Sequence, residues 1–97
     1  MDQTLYKDVG LKSGETLTKG TRVSVKSIPD NDHSCIVNNG IRDIRLRYTS
    51  VFKRPSDKCL MNAVSSAVCN TPAGNRVEPD GIDRYGFPSW LRILGFI

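Results

Sequence analysis

The sequence predicts a mainly β domain with a few short helices, and three observations support that prediction. Residues 21–28 alternate apolar and polar side chains, which is the pattern of a strand with one buried face. The triplet Asn38-Asn39-Gly40 is typical of a hairpin turn and separates two further stretches of strand character. A chain of 97 residues suffices for one hydrophobic core, since domains commonly run to about 100 to 150 residues. We therefore expect a single domain over residues 1–97.

The N-terminal residues are expected to form mostly loop, and the first regular strands are expected after them. Residues 1–20 mix glycines with polar residues and predict loop with at most short strands. In residues 21–28, Val23 and Val25 would face the core while the polar side chains between them face solvent. Residues 34–37 predict the next strand, after a turn rich in aspartate and asparagine.

The strand after the hairpin contains most of the arginines. Asparagine and glycine tolerate positive φ at both central positions of a type I′ turn, so the Asn-Gly pair predicts that turn and a strand over residues 41–48. Alternation along this strand assigns its side chains to two faces. Those expected to face the core are Ile44, Leu46 and Tyr48, and those expected to face solvent are Asp43, Arg45 and Arg47.

The C-terminal half is less regular. Residues 59–69 fit either a helix, with Ser56 or Asp57 as its N-cap, or a closing strand. Residues 70–88 are dense in proline, glycine, asparagine and aspartate, and predict a long ordered loop or a pair of turns. Ser89 is expected to cap a short apolar helix at the end of the chain.

The last eight residues are mostly apolar, and Gly95 is expected to end the short helix among them. The apolar members are Trp90, Leu91, Ile93, Leu94, Phe96 and Ile97. A segment of this kind left in water promotes association. We expect it either to fold back and plug one end of the domain or to pack against a second copy in a symmetric dimer. The protein is accordingly expected to be a monomer or a homodimer.

The net charge of +4 is concentrated in one segment. Residues 1–41 and residues 59–97 each contain equal numbers of acids and bases, so the excess lies in residues 42–58. The bases there are Arg42, Arg45, Arg47, Lys53, Arg54 and Lys58. Such a concentration attracts phosphates or carboxylates. Tyr48 and Phe52 lie among these bases, and we expect them either to stack on single-stranded nucleic acid or to belong to the core.

The residue types that catalysis and metal binding use most are scarce. Cys35, Cys59 and Cys69 are an odd number of thiols and are expected to be reduced and buried. His33 is the only histidine, and a zinc site that joined it to the cysteines would lack a CxxC pair. Its spacing from Cys35 also fits a Cys-His pair, although a solvated turn position is the simpler interpretation. We therefore expect neither an enzyme nor a metal site.

Other chemical signatures are also missing. No glycine-rich phosphate loop is present, so no cofactor is expected. Glu78, Asp80 and Asp83 lie close in sequence without the spacing of an EF-hand loop, and we expect them to make turn hydrogen bonds. No apolar run approaches the roughly 20 residues of a membrane helix, and no secretory signal is evident. A cytosolic location without a membrane partner is therefore expected.

Part of the chain resembles the small SH3-like and KOW-like barrels, over residues 17–64. The resemblance rests on a strand that begins Lys19-Gly20-Thr21-Arg22-Val23-Ser24-Val25, an Asn-Gly hairpin, and an alternating strand that ends in a turn from Tyr48 to Lys53. It implies a small SH3-like barrel, here followed by a long C-terminal loop and a short apolar terminal helix. The KOW-like members imply binding to nucleic acid.

The C-terminal region has a resemblance of its own. The stretches Val77-Glu78-Pro79-Asp80-Gly81-Ile82-Asp83, Gly86-Phe87-Pro88-Ser89-Trp90-Leu91 and Leu94-Gly95-Phe96-Ile97 look like the ending of small uncharacterised bacteriophage proteins. That resemblance implies a phage origin and a place in the host cytoplasm. Small phage proteins of this size often inhibit or modulate host machinery, including defence systems.

These observations favour a nonenzymatic binding protein that docks on a host protein with an acidic surface and inhibits or modulates it. Arg45 and Arg47 would anchor the contact, and Lys53 and Arg54 would extend it. One alternative is a KOW-like module that binds the phosphate backbone of nucleic acid. A second alternative is sequestration of a small nucleotide signal by basic residues around a pocket.

Overall fold

The computed structural model describes residues 1–97 as a set of short strands and helices. In chain order these are β1 (Asp2–Thr4), β2 (Val9–Gly10), β3 (Thr16–Leu17), β4 (Arg22–Ser27), β5 (Ser34–Asn38), β6 (Asp43–Arg47), α1 (Tyr48–Val51), α2 (Asp57–Ser66), β7 (Cys69–Asn70), β8 (Arg76–Val77) and α3 (Trp90–Ile93). Strands account for 30% of the residues and helices for 19%. The predicted mainly β class with short helices is confirmed.

Four strands form one antiparallel sheet in the order β1-β4-β5-β6. As predicted, Val23 and Val25 of β4 are buried and the residues between and beside them are exposed. Cys35 and Val37 of β5 are buried on the same side of the sheet. β1 and β6 are the two edge strands of this sheet, and that position matters for β6 below.

The hairpin between β5 and β6 forms where the sequence predicts it, but its turn is different. Asn38 pairs with Asp43, so the loop has four residues, 39–42, instead of two. Asn39 is not among the residues with positive φ. Its side-chain oxygen instead accepts hydrogen bonds from the Ile41 and Arg42 N–H groups at 3.0 and 3.1 Å. The type I′ prediction is therefore wrong, because the Asn39 side chain satisfies the loop backbone and delays the start of β6 to Asp43.

Two small ribbons, β2–β3 and β7–β8, flank the main sheet and share one turn geometry. In the first ribbon the Leu11 N–H donates to the Glu15 carbonyl at 2.8 Å, and in the second the Thr71 N–H donates to the Asn75 carbonyl at 2.8 Å. Each three-residue loop ends in a glycine with positive φ, as such turns require. The predicted short strands before residue 20 and turns within residues 70–88 are both present.

The ambiguous segment over residues 59–69 is mostly helical. α2 begins after Ser56, whose hydroxyl accepts a hydrogen bond from the Cys59 N–H at 3.3 Å. The capping hydroxyl satisfies one of the free N–H groups of the first turn, and this favours helix over strand. Only Leu60 and Ala63 of α2 are buried. The last residues of the segment leave the helix and enter β7.

Most of the C-terminal apolar segment packs into the core of the same chain. Ser89 caps α3 by accepting from the Arg92 N–H at 3.2 Å, as predicted. Trp90, Leu91 and Ile93 are buried and Leu94 is partly buried. The guanidinium of Arg92 holds this helix against the β4–β5 loop through a 2.8 Å ion pair with Asp32. Folding back is therefore the outcome for residues 90–94.

The final two apolar residues do not follow the rest of this segment. Phe96 and Ile97 are 59% and 60% exposed, so folding back into the core does not extend to them. Gly95 has a φ of +78°, and the Phe96 N–H bonds back to the Leu91 carbonyl at 2.9 Å. This is the geometry of a Schellman helix end, in which the chain reverses out of the helix direction. The reversal directs the last two side chains into solvent.

The core is one cluster of seventeen buried apolar residues drawn from the sheet, both ribbons and the three helices. Phe87 and Tyr48 lie at its centre with their rings edge to face, 5.8 Å apart. None of the helices has the length and apolar character that crossing a bilayer requires.

Candidate binding surface

The solvent face of β6 displays two of the predicted basic residues side by side. Arg45 and Arg47 are exposed, whereas Ile44 and Leu46 are half-buried and pack against the core cluster. The predicted assignment of the two faces of this strand is confirmed. Since the strand is held by five consecutive pairings to β5, the two arginine side chains project from a rigid support.

The six bases of residues 42–58 differ in their partners, although all six are exposed. Arg42 forms an ion pair with Glu15 at 3.0 Å, and Arg54 forms one with Asp57 at 2.8 Å. The other four form no ion pair and leave their charge available; they are Arg45, Arg47, Lys53 and Lys58.

A groove of about 710 Å³ runs beside β6 and contains three of the predicted bases. Arg45 and Arg47 of β6 line it, together with Arg42 of the preceding loop. The opposite wall comes from β2 and the turn after it, including Leu11 and Lys12. Lys53, Arg54 and Lys58 do not line this groove, because they belong to the linker after α1 and the first turn of α2.

Two bases that the sequence pattern did not single out join this surface. Lys12 lines the groove from the β2–β3 turn. Lys26 lies on the solvent face of β4 and pairs with Ile36, which in turn pairs with Arg45. Two strand spacings, about 10 Å, therefore separate Lys26 from Arg45 on one exposed face. The alternation of side chains in β4 could have predicted that Lys26 is exposed. Its proximity to Arg45 could not be predicted, because it depends on strand order.

The aromatic residues among the bases do not face solvent. Tyr48 and Phe52 are buried, with their ring centroids 6.4 Å apart, and both rings contact Phe87. Of the two alternatives for these rings, a place in the core is confirmed and stacking on nucleic acid is wrong, because the short helix α1 begins at Tyr48 and turns both rings inward. Burial also raises the pKa of the Tyr48 phenol well above its usual value, and the nearby Cys35 and carboxylates add to this.

The thiols and the histidine are not gathered into a reactive group. His33 is exposed at the start of the hairpin, whereas Cys35 is fully buried and its burial raises the thiol pKa to about 12. A thiol with that pKa is protonated at neutral pH, which disfavours a Cys-His nucleophile. The structure contains no group of three or more His, Cys, Asp or Glu side chains that could hold a metal ion. The expectation that all three thiols are buried is wrong for Cys59, which is exposed on α2.

We expect the three cysteines to react with a thiol reagent at very different rates. In the native protein Cys59 should be modified rapidly, whereas Cys35 and Cys69 should react only after unfolding exposes them. Counting modified thiols by mass spectrometry, before and after adding denaturant, checks this. Cys59→Ser should remove the rapid phase, and rapid modification of Cys35 in the folded protein would show that β5 is packed differently.

Asp83 has a different role from its acidic neighbours in sequence. It is buried, and its carboxylate accepts from the Thr71 hydroxyl at 2.6 Å and from the Tyr85 and Phe87 N–H groups at 2.8 and 3.0 Å. A fourth bond comes from the Asn75 amide at 3.3 Å. This carboxylate organises the turn before α3, which fits the expected turn hydrogen bonding better than a cation site.

Comparison with known protein families, with characterised proteins and with solved structures gives no match for this chain. We therefore base the functional proposal on the fold, the unpaired bases and the groove beside β6.

Proposed function

We propose that this chain is a nonenzymatic binding protein that docks on an acidic surface of another protein through β6 and the groove beside it. The main support for this proposal is a set of bases around β6 and its groove that have no acidic partners. Arg45, Arg47, Lys12 and Lys26 are all exposed on elements around one surface, and none of them forms an ion pair. A surface of this kind is electrostatically complementary to carboxylates and accelerates encounter with them.

A protein partner accounts for this surface better than nucleic acid does. Binding to single strands without sequence preference combines basic residues with exposed aromatic rings on which bases stack. Here the two aromatic residues closest in sequence to the arginines, Tyr48 and Phe52, are buried in the core. In keeping with the phage resemblance, we propose that the partner is a host protein in the cytoplasm, which docking inhibits or redirects.

Reversing the charge of the proposed anchor should weaken binding without unfolding the protein. For Arg45→Glu with Arg47→Glu, we expect affinity for an acidic protein or peptide to fall roughly tenfold or more, because attraction becomes repulsion. The melting temperature should change little, since both side chains are exposed. Fluorescence anisotropy with a labelled glutamate-rich peptide measures the first, and thermal unfolding followed by circular dichroism measures the second.

A matched control separates the local effect from the change in net charge. Arg76→Glu with Arg84→Glu alters the total charge equally at exposed positions outside the β6 groove. This variant should bind the acidic peptide almost as well as the original protein. Equal losses for both pairs would contradict a site at β6.

Stronger binding to a single-stranded oligonucleotide than to the peptide, with a steep dependence on salt, would favour the nucleic-acid alternative. In host extracts, a partner that remains captured after nuclease treatment is a protein.

A further inference from the structure

We propose that the groove beside β6 receives an extended segment of the partner, which adds to the sheet as a fifth strand. The segment alternates acidic and apolar residues. This inference rests on the proposed function and specifies how the partner is held, by main-chain hydrogen bonds along an open strand edge.

The hydrogen-bond pattern of the β5–β6 ladder shows which backbone groups of β6 are free. The Tyr48 N–H donates to the His33 carbonyl at 3.0 Å, and the Asn39 N–H donates to the Arg42 carbonyl at 3.4 Å. In an antiparallel pair, bonded and non-bonded residue pairs alternate. The even-numbered residues of β6 therefore bond to β5, and the odd-numbered residues direct their N–H and C=O groups away from it.

Those outward groups belong to Asp43, Arg45 and Arg47. β6 pairs with β5 alone, so no strand of this chain occupies its outer edge. The edge is five residues long and contains no proline. Five residues of strand span about 17 Å, which is the usual length of a strand in a globular protein. The edge is thus long enough to template one added strand.

The two walls of the groove define the side chains that an added strand needs. Side chains on its core-facing side would meet Ile44, Leu46 and Leu11, which are partly buried hydrophobic residues packed against the core cluster. Side chains on its solvent-facing side would lie beside Arg45 and Arg47. Because side chains of a strand alternate between its two faces, the matching segment has apolar residues at every second position and carboxylates between them.

Charged residues on an edge strand also guard against self-association, and that interpretation is compatible with the proposal. A second copy of this chain would bring another β6 with two arginines and one aspartate, from a protein of net charge +4. An antiparallel pairing centred on Arg45 would place Arg45 opposite Arg45, which is unfavourable, and each Arg47 opposite Asp43 of the other copy. A segment with carboxylates opposite both arginines avoids the arginine pair, so the edge favours the acidic partner over the second copy.

Arg47 offers a pair of substitutions that differ by one outward N–H group. Its φ is −70° and its ψ is 147°, which are values that proline adopts without strain. Leu46 before it is in a strand, the conformation that residues preceding proline prefer. Arg47→Pro therefore deletes the arginine side chain and an edge donor, whereas Arg47→Ala deletes the side chain alone.

The test compares these two variants for binding to a short peptide in which valine and glutamate alternate. We expect Arg47→Ala to bind the peptide severalfold more weakly than the original protein, and Arg47→Pro to bind about fivefold more weakly still, through the lost main-chain hydrogen bond. The same peptide with N-methyl groups on alternate backbone nitrogens should bind poorly to the original protein. Its affinity should be equal for Arg47→Ala and Arg47→Pro. That peptide comparison needs no change in the protein, so it decides the question even if Arg47→Pro folds poorly.

The possible outcomes separate strand addition from the proposed function. If N-methylation has no effect and the two variants bind alike, strand addition is overturned, while a loss on reversing Arg45 and Arg47 would still support docking by charge. If charge reversal also has no effect, the proposed function fails as well. A dimer of the original protein that dissociates in Arg47→Pro would overturn the proposal in favour of pairing between two copies. Measurement of mass by light scattering distinguishes that case.

Discussion

Removal of residues 90–97 is expected to abolish the cooperative unfolding of this protein. The truncation takes Trp90, Leu91 and Ile93 out of the core, where each is at least nine-tenths buried. Burial of a large apolar side chain contributes about 1.5 to 3 kcal/mol, so three of them contribute roughly 5 to 9 kcal/mol. The net stability of a small domain is only about 5 to 15 kcal/mol. The truncated chain should therefore aggregate or lack a thermal transition by circular dichroism.

The exposed end of the same segment provides the control. Phe96→Ala with Ile97→Ala leaves α3 and its Schellman end intact and removes side chains that are already largely in solvent. We expect this variant to melt within a few degrees of the original protein. A truncated chain that keeps both its melting temperature and its mass would contradict the packing of α3 against the core. A truncated chain that changes from a folded dimer to a folded monomer would instead show that the segment packs between two copies.

The second large effect is expected at Asp83. Asp83→Ala removes the acceptor for four hydrogen bonds and leaves the buried Thr71 hydroxyl and Phe87 N–H without a partner. Unsatisfied buried donors cost about 1 to 3 kcal/mol each, so we expect the free energy of unfolding to fall by about 3 kcal/mol or more. Chemical denaturation at constant pH measures this change through the shift in midpoint.

Two comparisons identify the cause of that loss. Asp80→Ala removes an exposed carboxylate that makes no side-chain hydrogen bond, and it should be nearly neutral. Asp83→Asn keeps an oxygen acceptor for the Tyr85 and Phe87 N–H groups, so it should be less destabilising than alanine. If Asp80→Ala and Asp83→Ala had equal effects, the buried network would not be the source of stability in this turn.

These two stability predictions concern a part of the molecule distinct from the proposed binding surface. Asp83 and α3 do not line the groove beside β6. Changes at Asp83 or Trp90 should therefore affect binding only through the fraction of folded protein, whereas changes at Arg45 and Arg47 should affect binding at constant stability. This separation allows each set of variants to serve as a control for the other.

Much of the fold followed from local sequence patterns. The alternation in β4 and β6 predicted which side chains are buried, because a strand directs successive residues to opposite faces whatever its neighbours are. The caps at Ser56 and Ser89 were also predictable, since each hydroxyl bonds to an N–H group three residues further along. The type I′ turn was predicted wrongly, because the Asn39 side chain competes with the backbone for the hydrogen bonds of the loop.

The sequence by itself determined that the positive charge lies in residues 42–58 and that Arg45 and Arg47 project from one face of a strand. Only the tertiary structure decided that β6 is an edge strand, that Lys12 and Lys26 lie near it, and that Tyr48 and Phe52 turn inward. The physical reason is the range of the interactions. Side-chain alternation and charge are properties of a few consecutive residues, whereas strand order and ring burial depend on which distant segments share a sheet and a core.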